Sequence, residues 1–452
     1  MTRNYFNQLP FVTTLLSRVR PALLTFAIVA NGLFCHLVKA EDVTGVAPRA
    51  TLESSHTTET LAEEALGKLE YGVHYVFTPN IKEGVIDVEL QLSKPELVKS
   101  ISFRHDKQRH KNFSGDGKLK RFKSSIRWEP GTGDDAAVLR YQAKVSHERN
   151  KGGFDALMTA DWSIFRGDNI VPTAKVRSRK GASSVSTLSF DLPPEWTSVD
   201  IGWRKMKDWQ FRIDNPERQF DRPTGWMIAG KLGSRRDFLQ GTELSIAAPQ
   251  GSDMQRMNAL ALINLVWPEV QRAFQKLPPK ILIVAAGDPM WRGGLSSPNS
   301  FYVHAGRPLI SENGTSTLLH ELSHVITRIR GSSQSDWISE GLAEFYSIEL
   351  MLRAGAMNPA RHNRVLKSLA RWGAKVDTLR TRSSSGATTA RAVLLIHQLD
   401  IELRKESNGQ YSIDDVTRQL MVERKVSNKK LRTIVETLLG RPSQVLATPL
   451  LR

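Results

Sequence analysis

The sequence predicts an α+β protein with an antiparallel β domain in its N-terminal part, a mixed centre and an all-α domain at its C-terminal end. Residues 71–203 contain runs of alternating apolar and polar residues, separated by Gly- and Asp-rich turns. Residues 205–355 mix strand-like with helix-like segments, and residues 356–452 show helical spacing alone. With 452 residues, of which 40% are hydrophobic, the chain is long enough for several cores. We therefore predict domains at residues 71–204, 205–355 and 356–452.

The first forty residues have the pattern of a signal peptide. Arg3, Arg18 and Arg20 precede an apolar run at residues 23–38, and Val38-Lys39-Ala40 has the small-x-small form of a cleavage site. An uncleaved membrane anchor is the alternative, although the run is short for a bilayer span. We therefore expect an exported protein, periplasmic or secreted, with a flexible polar leader at residues 41–70 and no transmembrane segment after signal removal.

Charge and cysteine content limit the partners of the mature chain. The only cysteine, Cys35, lies in the signal segment, so an exported chain would contain no disulfide. The formal net charge of +17 makes an anionic envelope surface a candidate partner, with solvated basic loops as the alternative. The basic residues are scattered and not interleaved with aromatic residues, so we do not expect nucleic-acid binding.

The β domain is predicted to be a framework without catalytic groups of its own. Alternation is clearest at residues 85–92, 101–105, 137–145 and 185–192. Its histidines lack the spacing of metal ligands.

The central segment begins with a long amphipathic helix. We predict this helix at residues 253–277, with Asp253 as its N-cap. Buried-type strands follow at residues 280–286 and 300–304, and Gly293-Gly294-Leu295-Ser296 lies between them. Glycines beside a strand permit another backbone to approach closely, so an extended peptide substrate could join the sheet here. A plain turn is the alternative.

A metal-binding pattern, His320-Glu321-Leu322-Ser323-His324, follows these strands. On a helix the two histidines project from one face, one turn apart, and suit zinc. Glu321 between them can polarise a water held by the metal. Glu340, sixteen residues after His324, is the candidate third ligand, and Glu344 lies one turn further on, where it can accept a hydrogen bond from a ligand histidine, His320 first. A chance match on an ordinary helix is the alternative.

Helices carry this pattern and complete the chain. We predict the two helices of the metal pattern at residues 314–330 and 336–353. Those of the C-terminal all-α domain follow at residues 359–372, 390–404, 413–422 and 429–439.

The motifs taken together resemble the gluzincin metallopeptidases. Among these, their sequence is most similar to the glycyl aminopeptidase-like family and related zinc aminopeptidases. The resemblance rests on the segments H-E-L-S-H, W-I-S-E-G-L-A-E-F, G-G-L and, later, S-I-D-D-V after Asp400 and Arg404. It implies a thermolysin-like catalytic domain in the centre, with His320, His324 and Glu340 as zinc ligands and Glu321 as general base. It also implies that Glu344 supports a ligand and that residues Gly293, Gly294, Leu295 and Ser296 form a substrate-facing edge strand.

Two positions depart from the family pattern. Ser296 stands where related aminopeptidases carry an acidic residue that helps to hold the substrate's free amino group. Thr389 stands where the resemblance implies a tyrosine that donates to the oxyanion, a type of donor worth roughly two to three orders of magnitude in turnover. Tyr302, His304 and Arg391 are the candidate replacements.

Two functions remain open at this stage. The first is an exported zinc metallopeptidase acting on peptides or proteins, as an endopeptidase or an aminopeptidase. The second is a catalytically weakened, gluzincin-like zinc-binding or interaction module of the cell envelope.

Overall fold

The computed structural model describes residues 69–133, 136–150, 152–214 and 220–452. The expected signal peptide at residues 1–40 and residues 41–68 of the expected leader lie outside these residues. Residue 70, the last of the expected leader, already belongs to the first strand. Within the described residues, no helix combines the length and the apolar character that crossing a membrane requires.

Between residues 69 and 230, the described part of the chain consists mainly of strands and short connections. Within that part, the strands are interrupted by the helix α1 (Gly167–Ile170) and by a 3₁₀ turn at Pro95–Leu97. The strands of this β region are β1 (Glu70–Asn80), β2 (Val85–Leu92), β3 (Val98–Phe103), β4 (His110–Gly115), β5 (Lys118–Arg121), β6 (Ile126–Glu129), β7 (Ala137–Lys144), β8 (His147–Asn150), β9 (Gly153–Met158), β10 (Trp162–Arg166), β11 (Ala174–Ser178), β12 (Ser183–Phe190), β13 (Ser198–Ile201), β14 (Gln210–Ile213) and β15 (Trp226–Gly230).

Three sheets form the β region, in the strand orders β14-β12-β1-β2-β7-β4, β13-β15-β10-β9-β8 and β11-β3-β6-β5. Every second residue of β1 and β2 is buried, as the alternation predicts, and these residues pack with large aromatic side chains such as Trp128 and Tyr141. The expectation of a purely antiparallel domain is wrong for one pair, because β1 and β12 run parallel. Alternation determines which face of a strand is buried, but it leaves the direction of the neighbouring strand open.

The pairing of the β region continues past residue 204. Strand β14 pairs with β12, and β15 pairs with both β10 and β13, so this region reaches Gly230. Trp226 and Ile228 of β15 also share a core cluster with Leu282 and Tyr302 of the next sheet. The change at residue 205 from strand-like to mixed sequence patterns therefore does not coincide with a break in the packing.

The central sheet has the order β16-β17-β18-β20-β19. Its strands are β16 (Leu232–Leu239), β17 (Thr242–Pro249), β18 (Lys280–Ala286), β19 (Gly294–Ser297) and β20 (Ser300–His304). The pairs β17–β18 and β18–β20 are parallel, whereas the outer pairs β16–β17 and β19–β20 are antiparallel. The segment 294–297 is therefore an edge strand, not a plain turn.

Helix α2 (Arg256–Phe274) connects β17 to β18 and buries one face in the central core. It begins three residues later than predicted, and Asp253 is not its N-cap. Gln255 takes that position without a side-chain hydrogen bond. Aspartate is a residue type that is favoured at N-caps, but the chain does not become helical until after residue 255.

The remaining helices follow the predicted order, with ends shifted by at most three residues. They are α3 (Thr317–Thr327), α4 (Asp336–Arg353), α5 (Pro359–Gly373), α6 (Ala387–Glu406), α7 (Ile413–Glu423) and α8 (Asn428–Leu439). A short pair of strands, β21 (Arg330–Gly331) and β22 (Lys425–Val426), ties the loop between α3 and α4 to the loop between α7 and α8. A 3₁₀ turn at Pro449–Leu451 ends the ordered elements.

Candidate metal centre

Helix α3 carries the two histidines of the site on one side and apolar residues on another. Ser316 caps it, since its hydroxyl accepts a hydrogen bond from the Leu319 N–H. Apolar residues including Leu322 and Val325 face the central core. His320 and His324 project together from another side of the same helix.

Three ligand atoms converge where α3 faces α4. His320 Nε2 lies 3.1 Å from His324 Nε2. The Glu340 carboxylate lies 3.5 Å from His320 Nε2 and 3.4 Å from His324 Nε2. A tetrahedral zinc ion with bonds of about 2.0–2.1 Å holds its ligand atoms about 3.3 Å apart. The separations between these side chains therefore fit a zinc ion, and two imidazoles with one carboxylate are a donor set that zinc accepts.

The outer nitrogens of the two histidines have unequal partners. Glu344 Oε2 lies 2.8 Å from His320 Nδ1, whereas Ser339 Oγ lies 3.5 Å from His324 Nδ1. Ser339 also donates a hydrogen bond to the Ile329 carbonyl at 2.8 Å, which holds its hydroxyl in place. The sequence interpretation did not include Ser339. Ser339 could have been predicted from its position directly before Glu340, on the buried side of an amphipathic helix.

The electrostatics of His320 favour a cation at this point. Burial opposes its charged form, but hydrogen bonds with Glu340 and Glu344 raise its pKa to about 10. The same pair of carboxylates would support an imidazole that is bound to a metal ion in place of the proton.

Glu321 lies between α3 and the edge strand β19. Its side chain is buried, and the Ser296 N–H donates a hydrogen bond to its carboxylate. Burial raises the pKa of Glu321, while His320 and His324 favour its charged form. A Cβ atom on Gly294 would lie only 2.7 Å from Cγ and Oε1 of Glu321, so glycine permits this close approach.

Strand β19 offers main-chain groups to a further strand. The His304 N–H donates to the Gly293 carbonyl at 3.0 Å, and Leu295 is paired with Tyr302 two residues on. Because hydrogen-bonded positions alternate along an antiparallel pair, Gly294 and Ser296 direct their main-chain groups away from β20. Because the Ser296 N–H already donates to Glu321, an extended peptide could pair with the main-chain groups of Gly294 and with the Ser296 carbonyl.

A cavity of about 380 Å³ is lined by two of the three candidate ligands, His324 and Glu340. One wall is the end of the β19–β20 hairpin at residues 296–298, and another is the loop at residues 328–331. Helices α3 and α4 complete the lining with His324, Asp336, Ser339 and Glu340.

The candidate oxyanion donors Tyr302, His304 and Arg391 do not line this cavity. The Tyr302 hydroxyl is buried and donates to the Trp291 carbonyl at 3.0 Å. His304 is buried as well, with its Nδ1 accepting from the Gly306 N–H and its Nε2 3.3 Å from Asp288. These contacts give both residues a part in holding the turns around β19 and β20.

Arg391 and Thr389 both lie near the start of α6. Arg391 packs against Gly373 at the end of α5. A Cβ atom added to Gly373 would lie 3.2 Å from the Cβ of Arg391. Its Nε is buried without a hydrogen-bond partner among the described residues.

The late motif acts as a support for α4. Asp400 accepts a hydrogen bond from the Ile413 N–H at 2.8 Å, which joins α6 to the start of α7. Asp414 in turn accepts from the Tyr346 hydroxyl at 2.9 Å and from Arg353 at 2.7 Å. Because Tyr346 and Arg353 lie on α4, these contacts hold the helix that carries Glu340 and Glu344.

Comparison with known proteins shows a shared fold. Neither a family model nor a curated protein matches the chain. Solved structures of M1 zinc metallopeptidases do match it. An aminopeptidase N family protein from Idiomarina loihiensis has 14% sequence identity and a TM-score of 0.59, over 80% of this chain and 72% of that one. A two-domain M1 zinc metallopeptidase mutant bound to L-arginine has 15% identity and a TM-score of 0.54, over 85% and 93% of the two chains.

A mutant M1 zinc metallopeptidase from Deinococcus radiodurans, bound to a Tyr-Ser-Ala substrate, has 14% identity and a TM-score of 0.51, over 84% of this chain and 92% of that one. At such identities the similarity concerns the fold, a mixed α+β fold like that of the two-domain M1 peptidases. The resemblance to gluzincin peptidases seen in the sequence is confirmed at this level.

Proposed function

We propose that this chain is a zinc-dependent metallopeptidase. The observation that carries the proposal is the convergence of His320, His324 and Glu340, 3.1–3.5 Å apart, beside the buried Glu321 and an open edge strand. A zinc site with a structural role tends to have four protein ligands and needs no carboxylate of this kind. The centre of the fold would then be a thermolysin-like catalytic domain.

The chemistry follows from the positions of these residues. Zinc bound by the three ligands would supply a Lewis acid that polarises a peptide carbonyl and makes water nucleophilic at neutral pH. Glu321 would accept a proton from the attacking water and then donate it to the leaving amine. Burial suits this exchange, since it raises the pKa of Glu321 towards the range of a proton carrier.

The edge strand would orient the substrate. A peptide paired with the outward main-chain groups of Gly294 and with the Ser296 carbonyl would pass directly across Glu321. Peptide substrates are also consistent with the Tyr-Ser-Ala ligand of the Deinococcus radiodurans structure.

Export is part of the proposal and rests on residues 1–40 alone. The basic start, the apolar run and the small residues at 38–40 support a signal peptide, and the charge of +17 supports a nearby anionic envelope surface. Amino-terminal sequencing of the protein from its own cells tests this part, and a first residue near Glu41 is expected. Recovery of an intact amino terminus in the cytosolic fraction would contradict it.

A catalytically weakened zinc-binding module is the second candidate. It is favoured by one observation, namely that Tyr302 and His304 use their polar atoms to hold nearby turns instead of lining the cavity. Such a module would keep the metal but turn over peptides slowly or not at all.

Replacing the proposed general base separates the two candidates. We expect Glu321→Gln to keep one bound zinc per chain and to lower kcat by about 10²–10⁴-fold on a peptide library, because general-base catalysis contributes that much. Metal content and turnover are measured on the same preparation. The control Glu312→Gln changes an exposed glutamate ahead of α3 and should leave both unchanged.

Metal removal completes this test. A chelator should abolish turnover by the wild-type chain, and added zinc should restore it. If the wild type binds zinc but cleaves no peptide in the library, the module is the better description.

A further inference from the structure

Asp336 lines the cavity, and its carboxylate has no role in the proposed reaction. It is the first residue of α4 and precedes Glu340 by four residues, so the two side chains lie on one face of the helix, about 6 Å apart along its axis. Both residues line the cavity beside the metal ligands. Asp336 is itself outside the zinc-binding group of His320, His324 and Glu340.

The contacts of Asp336 use one of its two oxygens. Oδ2 accepts a hydrogen bond from the Ser384 N–H at 2.6 Å. Among the described residues, Oδ1 has no hydrogen-bond partner and no basic side chain forms an ion pair with the carboxylate. The neighbouring titratable groups are Glu340 and His324 of the same site. A carboxylate of this kind, partly withdrawn from water, is stabilised by a cation that enters the cavity.

The direction of the edge strand indicates which part of a substrate reaches Asp336. Strand β19 runs from Gly294, beside Glu321, towards Ser297 and the cavity. A peptide that joins β19 in antiparallel fashion, as β20 does on the other side, has its amino-terminal end at the cavity. Each extended residue spans about 3.3 Å, so the one or two residues before the bond to be cleaved would reach into the cavity that Asp336 lines.

Two arginines in the loop at residues 328–331 are also part of the lining. Arg328 already has an interaction partner, and the main chain of Arg330 is paired with the 424–426 segment. Arg328 could therefore bind an acidic group only in competition with its existing contact, whereas the pairing of Arg330 involves its main chain and leaves its side chain exposed. Asp336 is less exposed than either arginine, so it is the better supported site for a charged group of the substrate.

We propose that Asp336 is a specificity residue that binds a cationic group of the substrate on the amino-terminal side of the cleaved bond. The inference rests on the proposed peptidase function. The cation is either the free α-ammonium of the first residue or a basic side chain, since both offer the same N–H donors to a carboxylate. Ser296 brings no negative charge to the edge strand, so Asp336 would supply one from a different wall of the cavity.

Binding to an inactive chain tests this without relying on turnover. Zinc-loaded Glu321→Gln protein, with and without Asp336→Asn, is titrated calorimetrically with leucinamide, acetyl-leucinamide and acetyl-argininamide. We expect at least one cationic probe to bind about 10- to 100-fold more tightly than acetyl-leucinamide, because hydrogen bonds to charged groups are worth that much. Asp336→Asn should remove the difference. Leucinamide as the tight probe identifies the α-ammonium, and acetyl-argininamide identifies the side chain.

Controls separate recognition from folding. Asparagine can still accept the hydrogen bond from Ser384, so the melting temperature should change little, and Asp336→Glu should recover part of the preference. Asp161→Asn removes an exposed charge in the turn between β9 and β10 and should change no affinity. Equal affinities for the three probes, a preference that survives Asp336→Asn, or tighter binding of acetyl-aspartamide would overturn the proposal. Failure of the wild type to cleave peptides would instead count against the proposed function, whatever the binding result.

Discussion

At the scale of single residues, the two proposed zinc-ligand histidines differ in how firmly they are held. His320 has a carboxylate partner, Glu344, at 2.8 Å. His324 has a hydroxyl partner, Ser339, at 3.5 Å, which is beyond the usual length of a strong hydrogen bond. A carboxylate both orients the imidazole and increases its basicity towards a metal, so Glu344 should matter more to zinc binding than Ser339.

Glu344→Gln should therefore weaken zinc binding by about 10- to 100-fold, the usual cost of losing such a partner. Ser339→Ala should cost less than tenfold, because the contact that it removes is long. Competition with a zinc-selective chelator at constant pH measures both. A larger loss in Ser339→Ala than in Glu344→Gln would show that the Ser339–Ile329 contact, and not the carboxylate, governs ligand orientation.

At the scale of elements, the site depends on how closely β19 approaches α3. Gly294 has no side chain, and this lets the Ser296 N–H reach the Glu321 carboxylate. The proposed metal ligands lie on α3 and α4, and Asp414 accepts hydrogen bonds from two residues of α4. Disturbing β19 should thus affect catalysis while leaving metal binding intact.

Gly294→Ala tests this separation. The added Cβ would lie 2.7 Å from Glu321, so either β19 or the carboxylate has to move. We expect kcat/KM on peptides to fall at least tenfold, since small displacements of a catalytic group cost about that much or more, with zinc content unchanged. Gly287→Ala is the matched control, because a Cβ there has open space. Loss of zinc from Gly294→Ala would mean that the strand also supports the ligands.

Elements with a strong local pattern could be predicted closely, and tertiary features could not. Residues 85–92, 280–286 and 336–353 form elements with the predicted ends, because alternation or helical spacing continues to their last residues. The parallel pairing of β1 with β12 and the contact of Ser339 with His324 depend on segments far apart in the chain. No local signal specifies such contacts. The spacing of His320, His324 and Glu340 was informative because two helices with a short connection bring those positions together.

At the scale of the whole molecule, a buried ion pair links the β region to the central sheet. Asp200 lies on β13 and Lys280 on β18, with exposed fractions of 2% and 4%. Lys280 Nζ donates to Asp200 Oδ1 at 3.1 Å, and Arg236 and Ser245 donate to Oδ2. Glu243 also lies 3.2 Å from Lys280. The charges are fully desolvated only while both sheets are in place, so this pair reports on their docking.

The pH dependence of stability should follow from Asp200. Burial opposes its ionisation, but Lys280, Ser245 and Arg236 outweigh burial and lower its pKa. A carboxyl whose pKa is lower in the folded state contributes stability that is complete above its unfolded pKa of about 3.9. That contribution is lost as the pH falls through the folded pKa, so the difference between wild type and Asp200→Asn should shrink below about pH 4.

At pH 7, Asp200→Asn leaves Lys280 buried with Glu243 as its acidic partner. We expect a loss of about 3 kcal/mol in the free energy of unfolding, because breaking one side of a buried pair costs about 3–5 kcal/mol. Urea unfolding at pH 7 and at pH 3 measures the loss and its decrease. Asp161→Asn, which removes one partner of an exposed pair with Lys231, should cost at most about 1 kcal/mol at pH 7. Equal losses in the two variants, or a difference from wild type that grows as the pH falls, would show that the two sheets are held together by apolar packing around Trp226 and not by this pair.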